Sequence, residues 1–315
     1  MLKVLADALV PIFAGLLLGY CAGLWHRMDN QNVRTLITFV MSFAIPCALF
    51  LAIASTPRAA LREQAGAALV LAIAYAVLYA ISFWWTRRGE NLNPSDSAVV
   101  ALTLGFPNSA AVGLPLLASV FGSQSTVTVA TALAIGSITV SPITLAILEG
   151  SRRGSAGGSA LRQIGLSLIH SFKRPIVWAP LLGLAFSCAG LNLPSFMNQS
   201  LAVMGSAADG SALVLTGLVV SAQRFEIGGN TLIAVFLKNA LQPALALGIA
   251  LLIHLSIEQT RYVTLISAMP CGFFGVVFGK DFDSGPKLAS SGLIASYVIG
   301  VGTLAAWIVI VNHIG

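Results

Sequence analysis

The stretch Leu104-Gly105-Phe106-Pro107-Asn108-Ser109-Ala110-Ala111-Val112-Gly113-Leu114-Pro115 has a counterpart in Ala268-Met269-Pro270-Cys271-Gly272-Phe273-Phe274-Gly275. Both are apolar segments broken by proline, at matching places in the two halves of the chain. Proline lacks an amide hydrogen and clashes with the preceding turn, so each segment is expected to form two half-helices. In hydrocarbon every backbone amide and carbonyl needs a partner. An interruption is therefore tolerated only where the freed groups are buried in protein or face a polar cavity. Paired interruptions in related halves point to a secondary transporter and locate its solute site.

The 315 residues are 57% hydrophobic and only 9% charged, with a mean hydropathy of +0.89. A water-soluble domain could hardly cover such a composition, and a polytopic all-α membrane protein is expected. Stretches long enough to cross a bilayer fall at residues 5–25, 34–54, 64–85, 97–121 and 125–148, then at 175–190, 198–222, 230–255, 261–279 and 288–311. With the long basic linker after Leu148 placed inside, only Lys3, Arg58, Arg62 and Arg261 lie outside. Apart from Lys238 within a span, the rest of the 17 Lys and Arg residues are inside. Basic loops translocate poorly, so both termini are expected outside the cytoplasm. The net charge of +6 thus reports topology and implies no nucleic-acid partner. The opening segment runs straight into a full-length apolar stretch without a clear cleavage site and reads as a retained first helix. Cys21, Cys47, Cys188 and Cys271 lie within spans without metal-ligand spacing, so free thiols are expected.

The Gly/Ser-rich stretch 149–160 divides the chain into two groups of five spans. We expect a first repeat over 1–149, a cytoplasmic linker over 150–174 and a second repeat over 175–315. An odd number of spans per repeat requires the second copy to insert upside down. An offset of 163 residues aligns Pro107 with Pro270, Pro46 with Asp209 and Tyr75 with Lys238. Within the linker, residues 161–170 carry apolar positions at helical spacing flanked by cations, a pattern suited to the inner membrane surface.

Several polar residues stand out against this apolar background. A half-helix beginning after Pro107 would present free backbone amides, whose partial positive charge favours anions. Asn108 and Ser109 add side-chain donors there; alternatively they satisfy neighbouring backbone in an ordinary kinked helix. Around Pro270, Cys271 and Gly272 backbone groups would do most of the work. Lys238, Asn239 and Gln242 form a polar cluster in the eighth span, with Lys238 and Gln242 on one face by their i,i+4 spacing. A lysine there suits an anionic substrate. It also lies only about 12 Å from the span's start at 1.5 Å per residue, within reach of snorkelling to the interface. Asp209 is the acid placed deep in the bilayer. It could carry a proton, help bind sodium, pair with Lys238 or order helix packing.

At these residues the chain resembles the auxin efflux carrier family, whose bacterial members include malonate and malate permeases and whose plant members are the PIN proteins. Asn108-Ser109-Ala110-Ala111-Val112-Gly113-Leu114-Pro115-Leu116 is similar to the family's Asn-Ser-Gly-aromatic-Ile-Gly-Leu-Pro-Leu pattern. Ala44-Ile45-Pro46-Cys47-Ala48-Leu49-Phe50 and Lys280-Asp281-Phe282-Asp283, leading into Ser290-Ser291-Gly292-Leu293, are similar too. The resemblance covers nearly the whole chain. It implies ten spans in two inverted five-helix repeats, with broken helices four and nine crossing at the substrate site. By the same resemblance Asn108 holds a substrate carboxylate, Pro107 and Pro270 shape the breaks, and a homodimer is plausible. Two departures matter. Ala110 and Ala111 replace the usual Gly-aromatic pair, leaving a more open site that suits an aromatic substrate poorly. Asp209 stands where many relatives carry an apolar residue or proline.

Other classes fare worse on the residues. His26, His170, His254 and His313 form no cluster with carboxylates or cysteines, so neither a zinc site nor a hydrolase is supported. A phosphate-binding Gly-x-x-x-x-Gly-Lys-Ser/Thr string is missing, so an ATP-driven pump is not expected, and energy must come from a solute or ion gradient. An intramembrane enzyme would need a base near Cys271 or Ser109, and a passive channel would conduct without saturation. The expectation is a carrier of small organic anions, dicarboxylates such as malonate or malate foremost. The alternative is a sodium- or proton-coupled carrier or antiporter of bile-acid-transporter-like type with a different substrate. No organic cofactor or metal is implied.

Overall fold

The computed structural model describes residues 2–30, 32–153, 173, 175–222 and 228–314; the side chains of residues 2–9, 12, 110, 111, 114, 115, 123, 126, 153 and 209 lie outside the description. The expected interfacial helix at 161–170 and most of the linker therefore fall outside the described residues. Within them the fold is all helical, and the extended pairing recorded is an isolated bridge between Pro107 and Cys271.

Among the described residues, six helices are long and apolar enough to cross a membrane. They are α2 (Arg34–Ala54), α3 (Ala65–Arg88), α6 (Val127–Arg152), α8 (Ser195–Ser221), α9 (Gly229–Leu252) and α12 (Lys287–Asn312). The helix α1 (Leu2–Leu24) and the shorter α7 (Pro175–Ala189) fall at the expected first and sixth segments. The expected fourth and ninth segments are not continuous. The fourth is α4 (Pro94–Gly105) followed, after the break, by a π-turn at Ser109–Gly113 and α5 (Leu114–Phe121). The ninth is α10 (Ile257–Ser267) and α11 (Phe274–Asp281).

Two sets of helices pack side by side. In one, α1 lies along α8, and α2 lies against α7 and α8. The α1–α8 approach is close enough that a Cβ on Gly217 would sit 2.0 Å from the Leu16 carbonyl oxygen. In the other, α4 is surrounded by α3, α6, α11 and α12, while α9 packs on α3, α10 and α12. Contacts between connections occur at two separate ends. At one end Asn30 Nδ2 donates to Ser221 Oγ (2.9 Å) and Ser284 Oγ to Asp96 Oδ1 (2.6 Å). At the other, Ser187 Oγ donates to the Thr56 carbonyl (2.6 Å) and Gln259 Nε2 to the Glu63 carbonyl (2.7 Å).

Apolar side chains such as Leu17, Trp84, Val203, Leu252 and Val298 remain exposed on the outside of the bundle, as a lipid-facing surface requires. The interior instead holds many hydroxyls and amides, and Lys238 is the one fully buried cation among the described residues. All four cysteines are free.

Candidate functional site

The two breaks meet. Phe106 leaves α4 in an extended conformation (φ −108°, ψ 103°), because Pro107 cannot continue the helix. The chain then runs antiparallel to Pro270-Cys271-Gly272. Asn108 N donates to the Pro270 carbonyl (3.0 Å) and Gly272 N to the Phe106 carbonyl (2.8 Å), one on each side of the Pro107–Cys271 bridge. This pairing has a local two-fold that relates Pro107 to Cys271, one residue later than the alignment of Pro107 with Pro270. Gly272 is required here for space: a Cβ would lie 2.3 Å from the Phe106 carbonyl oxygen.

Four amides at the breaks are occupied. Besides the two cross-strand bonds, Ser109 N donates to the Pro107 carbonyl (2.8 Å) and Cys271 N to Ser296 Oγ (3.0 Å). An anion at this site cannot use these four amides while the crossing is closed.

Each broken helix leaves a carbonyl that an unbroken helix would satisfy, and one short piece of α9 satisfies both. Gln242 Nε2 donates to the Gly105 carbonyl at the end of α4 (2.8 Å). Lys238 Nζ donates to the Ser267 carbonyl at the end of α10 (2.8 Å) and to Gln242 Oε1. A cation at a helix C-terminus is favourably placed in the helix field. Lys238 is 0% exposed, so its ammonium reaches inward rather than to a membrane surface. Lys238 lies in a π-turn at Leu237–Leu241, which ends two residues before Pro243. Proline removes the hydrogen bond to the carbonyl four residues back, which is that of Asn239, and Trp307 Nε1 takes it over at 2.8 Å.

Side chains from α12 complete the surroundings. Asn108, 2% exposed, donates through Nδ2 to the Tyr297 hydroxyl (2.6 Å). Asn239 Nδ2 donates to the Ser296 carbonyl (3.0 Å), while Asn239 Oδ1 is buried with no donor. Cys271 Sγ lies 3.8 Å from the Gly292 carbonyl. Ser109 Oγ is buried and lies 3.4 Å from the Pro107 carbonyl. A stack of rings seals one side of the crossing: Phe106 on Phe274 (4.9 Å) and Phe274 on Phe273 (4.6 Å).

A buried crossing of two interrupted helices, bonded through backbone and ringed by amides and one ammonium, fits a solute site. The chain matches the family described as membrane transport protein over residues 4–308. It belongs to that family, the family of the auxin efflux carriers. Among its relatives is an uncharacterized transporter, YfdV, of Escherichia coli, 27% identical over 98% of both chains. Auxin efflux carrier component 8 of Arabidopsis thaliana is 22% identical over 96% of this chain and 95% of its own. An uncharacterized transporter of Methanothermobacter thermautotrophicus is 22% identical over 96% and 97%.

The structure thus brings together Pro107, Asn108, Ser109, Pro270, Cys271 and Gly272, and sets Lys238, Asn239 and Gln242 around them. Asp209 continues α8, but its side chain lies outside the described atoms. Sequence reasoning missed Ser296, Tyr297 and Trp307. The available signal was the occurrence of polar and aromatic residues in mid-span, just beyond the family-like Ser290-Ser291-Gly292-Leu293.

Proposed function

We propose that this membrane transporter is a secondary carrier of small organic anions, with dicarboxylates such as malonate or malate as its substrates. The observation that carries the reading is the crossover itself. Asn108 stands on one broken strand with its amide turned to Tyr297, and Lys238 supplies positive potential from behind both half-helix ends. In this reading Asn108 and Ser109 contact a carboxylate. Pro107, Pro270, Cys271 and Gly272 shape the crossing, and Lys238, Asn239 and Gln242 hold it. Ten spans in two inverted five-helix repeats, 1–149 and 175–315 joined by the linker 150–174, would move one helix set against the other in alternating access. The chain would sit in the cell's inner (plasma) membrane with both termini outside the cytoplasm, as the distribution of its basic residues favours, and could pair as a homodimer. A sodium or proton gradient would drive it, with Asp209 as a candidate coupling residue. The small alanines at 110 and 111, in place of a Gly-aromatic pair, favour a compact aliphatic acid over an indole acid.

The test is charge movement by proteoliposomes on solid-supported membranes, challenged with malonate, malate, succinate, acetate and an indole acid. Saturable currents with the dicarboxylates, lost in Asn108→Ala, are expected. Silence to every acid, in electroneutral counterflow as well, would overturn the reading.

A further inference from the structure

One face of α3 carries Tyr75, Tyr79, Ser82 and Thr86, at spacings of four, three and four residues that place them in a single narrow stripe. All four are buried. The stripe runs about 16 Å at 1.5 Å per residue, from the crossover to the end of α3 that carries Arg87 and Arg88. At the crossover end the Tyr75 ring packs on Phe106 (6.0 Å), and its hydroxyl stands beside Ser109, short of hydrogen-bond geometry. Midway, Thr144 Oγ1 of α6 donates to the Tyr79 hydroxyl (3.0 Å). Ser141, also buried, lies one turn before Thr144.

The Tyr75 hydroxyl, Ser82 Oγ and Ser141 Oγ are buried without a hydrogen-bond partner. Each such group costs its desolvation, and native interiors keep few of them. Phenylalanine or alanine at these places would fill the same space at no such cost. A hydroxyl both donates and accepts, and buried water bridges such groups wherever it finds two to four polar partners.

We propose that this stripe, closed by buried water, is a proton path between the crossover and the Arg87 end of α3, and that the proton is the coupling ion. The inference rests on the anion-carrier reading above. A dicarboxylate would enter the crossover as its singly protonated form. The acid proton passes to the Tyr75 oxygen while that hydroxyl releases its own proton to the next oxygen. An equivalent proton emerges past Thr86, and the substrate gains one negative charge. Only O–H bonds form and break. The surroundings suit conduction rather than storage. From Ala65 to Thr86, α3 carries no charged or titratable group except the two tyrosines. Of the neighbouring helices, α4 carries only Asp96, in its first turn, and α6 only Glu149 and Arg152, near its end. Lys238 of α9 is engaged by Gln242 and Ser267, and α10 carries Glu258, Arg261 and Tyr262, toward its start.

The experiment uses the full chain in proteoliposomes with an entrapped pH dye and malonate as probe. Tyr79→Phe and Ser82→Ala remove one oxygen each and keep the packing. Both are expected to exchange malonate for malonate at close to the unaltered rate, while malonate-driven proton movement falls about tenfold. Undiminished proton movement in both variants overturns the path, as does sodium-driven accumulation without proton movement in the unaltered protein. A second readout needs no substrate. Hydroxyl radicals generated from water inside the protein should label Tyr75 well above Tyr297, which is as deeply buried but paired with Asn108. Background labelling of both overturns the path. Labelled Tyr75 with no malonate movement of any kind supports the hydrated path and overturns the anion reading instead.

Discussion

The two breaks are built from opposite materials. Phe106-Pro107-Asn108 brings a ring, an amide and, behind it, the hydroxyl of Ser109. Pro270-Cys271-Gly272 brings almost no side chain. The reason is geometric. Two backbones that exchange hydrogen bonds across a buried bridge leave no room between them, and Gly272 concedes the space that Phe106 takes. In the proposed reading one strand of the crossing therefore carries recognition and the other carries clearance. The same division appears behind the crossing, where Gln242 holds the end of the first broken helix and Lys238 the end of the second.

If clearance is the second strand's role, the largest effect comes from filling it. Gly272→Ala places a methyl against the Phe106 carbonyl and forces the strands apart. We expect a loss of about 3 kcal/mol, from overpacking plus the cross-strand bond it strains. Transport should cease with a marked drop in thermal stability, read by a melting scan beside counterflow. A stable, active Gly272→Ala protein would break the comparison. Asn108→Ala tests the first strand. The backbone bond from residue 108 to Pro270 survives it, so the fold should hold, while a charge-assisted contact to a carboxylate worth about 1.5–3 kcal/mol is lost. Turnover is expected to fall about 100-fold at a near-normal melting temperature. An unchanged affinity would remove Asn108 from the site.

Lys238 sharpens the division between recognition and support. Its ammonium already has two partners, and Lys238→Gln leaves the Ser267 carbonyl short of a donor at a cost of about 1–3 kcal/mol. A supporting role predicts that malonate and a monoanion such as acetate lose transport equally, by about tenfold. A selective loss of the dianion, measured in the same vesicles, would instead put the ammonium in contact with substrate.

Much of this was legible in the sequence because proline and mid-membrane polarity leave local marks. Pro107 and Pro270 announced the interruptions, and Lys238 with Gln242 announced a shared helix face. The partner of Asn108 was not legible. Tyr297 lies 189 residues away, and a tyrosine in an apolar helix reads equally well as a packing residue. The register of the bridge was hidden too. Aligning proline with proline is the natural choice in a sequence, whereas backbone pairing sets Pro107 against Cys271. The partners of the amides at the breaks were hidden for the same reason: a one-dimensional reading shows which helix ends are freed, not that the opposite strand takes Asn108 N and Gly272 N and that Ser296 takes Cys271 N. The hydroxyl stripe on α3 has helical spacing, but only burial distinguishes it from a solvated face.

The smallest effect should come from the proline that drew attention to the region. Pro107→Ala restores an amide hydrogen that could return to the carbonyl four residues back and extend α4. Against this stand the Gln242 bond to Gly105 and the two cross-strand bonds, all made by atoms the substitution leaves in place. The break should then persist most of the time, with turnover reduced about threefold and KM little changed. Pro270→Ala should behave alike if the strands are equivalent in shaping the chain. It should be worse if the second strand's narrowness matters, because the Pro270 ring also fills the space beside Gly300 on α12. Steady-state kinetics of the two variants side by side decide the matter. Equal small losses mean that hydrogen bonds hold the crossing once it has formed, and a larger loss at Pro270 means that packing against α12 holds it as well.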